Sequence, residues 1–402
     1  MLSVSMIAIL WAISTVVWAL CCRALPRWAY GVVVIIMLAL SVHRDVLSDD
    51  AYRYRWDGWV TSHGVNPYTH VPQDSTLDHL AFTTEDGIVY PDVVPYGHIH
   101  TIYPPGAQII FGSITLFSST NELVFKLIWW AIIMVLLFVV IRSLDEHQRT
   151  LFLVAISCPV ILFHGIMDMH LDMIMALLTV LSIILNSKGR PLLASGILGF
   201  AITVKFLPVL ALPILLRARS WDQRLKLLGV MCAVVALVYV PFFGAGVFGS
   251  LSTFAQKWQS NSALYSLLRV FFDDGIVRIV MAGMGLAGLI KIWWMYRAQP
   301  VFAMTSSIIV ILLCSPVVHP WYLIMPLLML PFAPISSTLV WGATICVYGI
   351  AYTNYKGDGV WLDHPIALAC EFLPVVVALV IDMRRGPLLF RNEHRMNSIA
   401  TS

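Results

Sequence analysis

Two adjacent carboxylates followed by interleaved arginines and aromatics form the densest polar stretch of the chain: Ser48-Asp49-Asp50-Ala51-Tyr52-Arg53-Tyr54-Arg55-Trp56-Asp57-Gly58-Trp59, with Gly64, Asn66, Pro67 and Tyr68 beyond it. A carboxylate can take the proton of an attacking hydroxyl, and nearby cations can stabilise negative charge on a departing phosphate. Ser48 suits an N-cap and carboxylates suit a first helical turn, so the spacing predicts a helix from Asp49 to about Val60. Tyr52 and Trp56 then share one face, and Asp50, Arg53, Tyr54 and Asp57 lie on or near another. Gly64 and Asn66-Pro67 end the helix with turn chemistry. An amphipathic interfacial helix, with rings at the headgroup level and charges in water, accounts for the same residues without catalysis.

Other polar residues compete for roles beside this cluster. Lys205 stands alone in an apolar segment, where a cation faces a cavity or a partner; an anionic phosphate or an ordinary ion pair would each satisfy it. Arg53 and Arg55 offer forked phosphate contacts, or Arg53 pairs with Asp49 or Asp57 across a helical turn. Asp168, His170 and Asp172 lie at a turn between two apolar runs; the two aspartates are expected on one helical face, either binding acceptor hydroxyls or capping the helix end. His319 sits with Trp321 on a proline-stiffened turn, as a sugar or phosphate contact or as a structural histidine. Tyr103 and Gln108 open a short helix after the polar loop. Six of the twelve histidines crowd that loop, but no HExxH or paired CxxC accompanies them, so no metal ligand is assigned.

These residues must be carried by a membrane scaffold. The chain has 402 residues, 59% hydrophobic and 12% charged, which excludes a soluble enzyme, a disordered chain and a nucleic-acid partner. The expectation is an all-α polytopic membrane protein of about 11 to 13 transmembrane helices at roughly 20 residues each, including a retained helix at the N-terminus. Short connections hold Arg23, Arg27, Arg142, Arg149, Lys188, Arg190, Arg217 to Lys226, Arg297, Arg384, Arg385, Arg391 and Arg395, and belong in the cytoplasm. Residues 43–104 carry nine Asp and Glu against three Arg and belong outside. Two apolar segments then cannot cross completely: 105–119, read as a short interfacial helix, and 192–216, read as a helix broken near Lys205 and Pro208. The layout is a single membrane domain over 1–402, with an extracytoplasmic loop at 44–119 bearing juxtamembrane helices and a second at 245–275. The seven cysteines lie in or beside apolar runs and read as filler.

The run SDDAYRYRWDGWVTSHGVNPY, then HTIYPPGAQ at 100–108 and SPVVHPWY at 315–322, resembles the multi-spanning GT-C glycosyltransferases of bacteria, especially the polyprenyl-phosphate-dependent mannosyltransferases. The resemblance implies an inverting transfer of a sugar, mannose being expected, from a polyprenyl-phosphate donor to a glycolipid or cell-envelope glycan. The reaction would occur on the extracytoplasmic face of the bacterial plasma membrane, amid membrane lipids. The family's base maps onto the Asp49-Asp50 pair, with Asp50 favoured. Lys205, Arg53, Arg55 and His319 are the expected phosphate ligands. Tyr54, Trp56, Asp57, Asn66, Tyr68, Tyr103, Gln108, Asp168, Asp172 and Trp321 are the expected substrate contacts. No cofactor is required, although a divalent cation (Mg or Mn) could bridge Asp49, Asp50 and the phosphate. A lipid-linked sugar transporter or flippase, and another lipid-donor enzyme such as an arabinosyltransferase, are the alternatives.

Overall fold

The computed structural model describes residues 4–21, 26–42, 48–359 and 361–385. Arg23, Arg391, Arg395 and Cys22, used in the sequence reading, lie outside them. The described residues are mostly helical, with one two-residue strand pair. Four described helices are long and apolar enough to cross a bilayer: Glu122–Ser143, Trp221–Phe242, Asp274–Met295 and Pro365–Arg384. Glu146–Ile156 with Ile161–Met167 makes a fifth if that bent pair is one span, and six more apolar helices have 10–17 residues. Large apolar side chains on the long helices stand outward, as with Phe138 (64% accessible), Leu237 (72%) and Ile279 (75%). Such surfaces suit lipid, and the chain is an integral membrane protein.

The described chain forms two compact units, Ile36–Ser143 with His164–Lys257, and Met1–Ile35 with Leu144–Phe163 and Trp258–Ser402. The first is built around the polar loop. Its loop helix runs Asp50–Ser62, with Asp49 rather than Ser48 at the N-cap; the Ser48 hydroxyl accepts from the Asp50 amide at 3.3 Å. Pro105, whose missing N–H costs nothing at a first helical position, starts the helix Pro105–Ser118. These two helices pack so closely that a Cβ on Gly58 would fall 2.6 Å from the Phe111 carbonyl oxygen. On the second helix, a Cβ on Gly106 would fall 2.8 Å from the Thr203 backbone. Glycine is needed at both positions because of this backbone approach.

The acidic stretch after the loop helix folds over it. Trp56, Val60, Leu77, Leu80, Tyr90 and Val94 make one buried cluster, closed by a two-residue ladder of Phe82–Thr83 with Val89–Tyr90. Asp74 caps the short 3-10 turn Ser75–Leu80 by accepting from the Thr76 amide, and its other oxygen meets His70 at 2.9 Å. Beneath the loop, Leu171–Ser187 packs on Pro191–Val204. The Ser182 hydroxyl donates to the Ala194 carbonyl at 2.8 Å, and the Ser195 hydroxyl donates to the Leu227 carbonyl at 2.5 Å. The helix Pro191–Val204 stops at Lys205, which is extended, before the 3-10 turn Leu207–Ala211 and the short helix Leu212–Leu216. The expected break at Lys205 is therefore present.

In the second unit, Trp18 on Val4–Cys21 donates its indole N–H to Ser157 at 3.1 Å. Pro365–Arg385 packs on Ser336–Thr344, where Trp341 donates to Glu371 at 2.8 Å. Asn261 donates to both Glu371 oxygens at 3.1 Å, so the buried carboxylate is paired by neutral donors. His319 stacks on Trp321 at 4.4 Å and its Nδ1 lies 3.0 Å from the Tyr348 hydroxyl.

Candidate active site

The structure separates the two adjacent aspartates. Asp49 sits at the N-cap, whereas Asp50 turns toward His170, with 3.6 Å between its Oδ2 and the ring Nδ1. The Asp50 side chain keeps 32% of its surface accessible while His170 is fully buried. Burial among protein atoms raises the Asp50 carboxyl from 3.8 to about 6. The Lys205 ammonium and the Tyr103 hydroxyl oppose that rise, and the charges of Asp172 and Asp49 add to it. A carboxylate so placed is a stronger base than a solvated aspartate yet still ionised at neutral pH.

Lys205 reaches this group from the helix break. Its Nζ pairs with Asp172 Oδ2 at 2.6 Å, the lysine side chain 22% accessible and the aspartate 4%. An extended residue between two short helices frees the side chain from a helix face and lets it reach the first turn of Leu171–Ser187, where Asp172 lies. A carboxylate, a cation and a second carboxylate thus come from three segments distant in sequence.

Around them stands an aromatic wall. Tyr54 stacks on Phe111 at 4.6 Å and on Trp129 at 5.6 Å, with Tyr103 edge-on at 5.0 Å. Burial, and then the nearby Asp50 charge, push both the Tyr54 and Tyr103 hydroxyls well above the ordinary tyrosine range, so both stay neutral. Tyr68 donates its hydroxyl to the Tyr103 carbonyl at 2.6 Å, and Asn66 caps its own turn by accepting from the Tyr68 amide at 3.0 Å.

The remaining expected site residues fall elsewhere. Arg53 donates to Asp57 at 2.8 Å and to the Ile99 carbonyl at 3.0 Å. Asp57 also accepts from Gln108 at 3.2 Å, and Gln108 donates further to Thr101 at 2.9 Å, the whole network being buried. Arg55 lies 1% accessible among the Phe82, Tyr90 and Phe125 rings, paired with Glu122 at 2.6 Å and bonded to the Thr120 carbonyl. Trp56 belongs to the apolar cluster under the acidic stretch. His319 and Trp321 are in the other unit.

Asp168 and Asp172 do not share a helical face as expected. Met169 adopts a left-handed conformation, φ 56°, between the π-helical turn Ile161–Met167 and the helix that begins at Leu171. The two carboxylates diverge in consequence: Asp168 meets His164 at 2.8 Å and Asp172 meets Lys205. His164 was overlooked in the sequence because it lies inside an apolar run. Its offsets of four and six residues to Asp168 and His170 were the available signal.

With this geometry established, similarity to known proteins becomes interpretable. Residues 1–219 match the family described as alpha-(1->6)-mannopyranosyltransferase, N-terminal domain, and that match includes Asp50, Asp172 and Lys205. The chain is also similar to alpha-(1->6)-mannopyranosyltransferase A of Mycobacterium tuberculosis, 25% identical over 401 residues that cover 87% of this chain and 74% of the relative. The GT-C resemblance and the family match agree, and the chain belongs to the alpha-(1->6)-mannopyranosyltransferase family of membrane glycosyltransferases.

Proposed function

We propose that the chain transfers mannose from a polyprenyl-phosphate donor to a hydroxyl of a glycolipid or cell-envelope glycan, on the extracytoplasmic face of the bacterial plasma membrane. Membership in a glycosyltransferase family sets the transporter reading aside. The observation that carries the proposal is Asp50: a carboxylate on a helix outside the spanning segments, partly accessible, raised in basicity by burial and standing beside Lys205. The basic connections and the acidic 43–104 segment support the outward orientation.

In this mechanism Asp50 takes the acceptor hydroxyl proton as the oxygen attacks the anomeric carbon. The new C–O bond forms as the bond from that carbon to the phosphate oxygen breaks, and the electron pair leaves on the lipid phosphate. One displacement inverts the anomeric centre, so an α-linked product, the linkage named for the relative, calls for a β-linked donor. Lys205 stabilises the leaving phosphate, while Asp172 holds the ammonium in place before the donor arrives. Tyr103 and Tyr54 remain neutral hydroxyls at the site's wall. Arg53 and Arg55 brace the loop, Arg53 through Asp57 and the Ile99 carbonyl and Arg55 through Glu122 and the Thr120 carbonyl. No added metal is required, since a lipid monophosphate can leave against lysine alone.

The test is mannose transfer in nanodiscs with polyprenyl-phosphate-mannose and a membrane-lipid acceptor pool, with and without a chelator. Transfer of mannose from this donor is the expected result. No transfer from this donor, with transfer from a nucleotide sugar instead, would overturn the donor assignment.

A further inference from the structure

His164, Asp168 and His170 form a group that the transfer mechanism leaves unused. Their side chains are 4%, 0% and 0% accessible, and one ligand-capable atom from each lies within 4.8 Å of the others. Two features of the backbone create this cluster. The π-helical turn Ile161–Met167 resets the side-chain register, and the left-handed Met169 folds the chain back so that the His170 amide donates to the His164 carbonyl at 3.0 Å. Residues four and six apart thereby converge on one point, which neither a regular helix nor an extended strand would achieve.

We propose that His164, Asp168 and His170 bind one divalent transition-metal ion of the zinc class. The donor set argues for that class: two imidazole nitrogens and one carboxylate suit a borderline ion, whereas magnesium and calcium prefer all-oxygen shells. The separations accommodate such an ion. Bonds of about 2.1 Å in a tetrahedral site place ligand atoms about 3.4 Å apart, and the observed 2.8 Å from His164 Nδ1 to Asp168 Oδ2 and the 4.8 Å outer limit bracket that value. Small side-chain rotations close the difference. The ion would take the place of the hydrogen bond that now joins His164 and Asp168.

Such an ion would act as a staple. It would tie the π-helical turn to His170, the residue preceding the helix that carries Asp172, and so hold Asp172 and Lys205 beside Asp50. His170 is then a positioning residue. The site differs from a cation bridging Asp49, Asp50 and the donor phosphate, because its ligands are buried and need no substrate.

Metal content provides a test that does not depend on transfer. Full-length protein in nanodiscs is stripped with a chelator, dialysed and titrated with Co2+, followed by the visible absorption of the coordinated ion and by elemental analysis. We expect about one tightly held Co2+ per chain, displaced by Zn2+. His164→Ala and the isosteric Asp168→Asn should each weaken binding by more than about 100-fold, since second-shell changes alone cost 10- to 100-fold. His79→Ala, an exposed loop histidine, should leave binding unchanged. Folded wild type that takes up no stoichiometric Co2+ overturns the proposal whatever the variants do. So does equal uptake by wild type, His164→Ala and Asp168→Asn. Either failure leaves the assignment of Asp50 untouched, because that assignment is read by mannose transfer.

Discussion

Replacing Asp50 by asparagine should remove the reaction while leaving the site assembled. The amide keeps the size and shape of the carboxylate, and the Lys205–Asp172 pair at 2.6 Å does not depend on it. Only the capacity to accept the acceptor's proton is lost. Loss of a positioned general base lowers rates by about 100- to 10,000-fold, equivalent to about 3 to 5 kcal/mol of barrier. Donor KM should change by no more than about threefold, because the phosphate contact persists. Asp49→Asn, at the N-cap, should cost less than about tenfold.

Stability should move the other way. Burial raises the Asp50 carboxyl from 3.8 to about 6, so the folded protein binds that proton more tightly than the unfolded chain does. Stability therefore falls as pH rises from about 4 to about 6 and stays lower above it. The shift would amount to about 3 kcal/mol at 1.36 kcal/mol per pH unit; with the side chain 32% accessible, solvent screening reduces it to about 1 kcal/mol. Asp50→Asn should thus be more stable than wild type at pH 7 and equal to it near pH 3. The assays are mannose transfer and thermal unfolding in nanodiscs without chelator at both pH values. Wild-type turnover should rise about tenfold per pH unit below pH 6 and level off above it. An Asp50→Asn enzyme that keeps more than a tenth of wild-type turnover would refute the assignment, as would Asp49→Asn being the variant that abolishes it.

Other perturbations separate site from scaffold. Lys205→Met should raise donor KM and lower turnover, together about 100-fold in kcat/KM, with Lys205→Arg recovering most of it; an unchanged donor KM would place the phosphate elsewhere. Arg55→Met removes the cation packed among the Phe82, Tyr90 and Phe125 rings and leaves Glu122 only Lys126 at 3.7 Å, and should destabilise the loop by about 1 to 3 kcal/mol. The readout is faster limited proteolysis within 63–104. Gly106→Ala forces a Cβ against the Thr203 backbone and should lower thermal stability by about 1 to 3 kcal/mol. Gly229→Ala, whose Cβ meets nothing within 4 Å on the helix Trp221–Tyr239, should raise it by about 0.5 to 1 kcal/mol. Equal effects from the two glycines would show that close helix packing is not what selects Gly106.

What the sequence determined by itself was local or compositional. Apolar content dictated a helical membrane protein, because a bilayer leaves the backbone no other partner. Ser48-Asp49-Asp50 announced a helix start, and Pro104-Pro105 announced the next, because capping and the fixed proline φ act within a few residues. Pro208 marked the break that falls at Lys205 for the same reason. The family resemblance pointed to the Asp49-Asp50 pair, but spacing could not separate two neighbours, since one helical residue turns a side chain through about 100°. Where each carboxylate lies depends on the partners facing the helix.

Tertiary structure decided the pairings: Lys205 with Asp172 across 33 residues, Arg55 with Glu122 across 67, and Asp50 beside His170. It tied Arg53, Asp57 and Gln108 into one buried network. It also parted Asp168 from Asp172, because one left-handed residue at Met169 overrides the helical period on which their shared face depended. Charge and residue type state what a side chain needs; which partner meets that need depends on where the backbone brings segments together, and spacing along the chain carries no record of it.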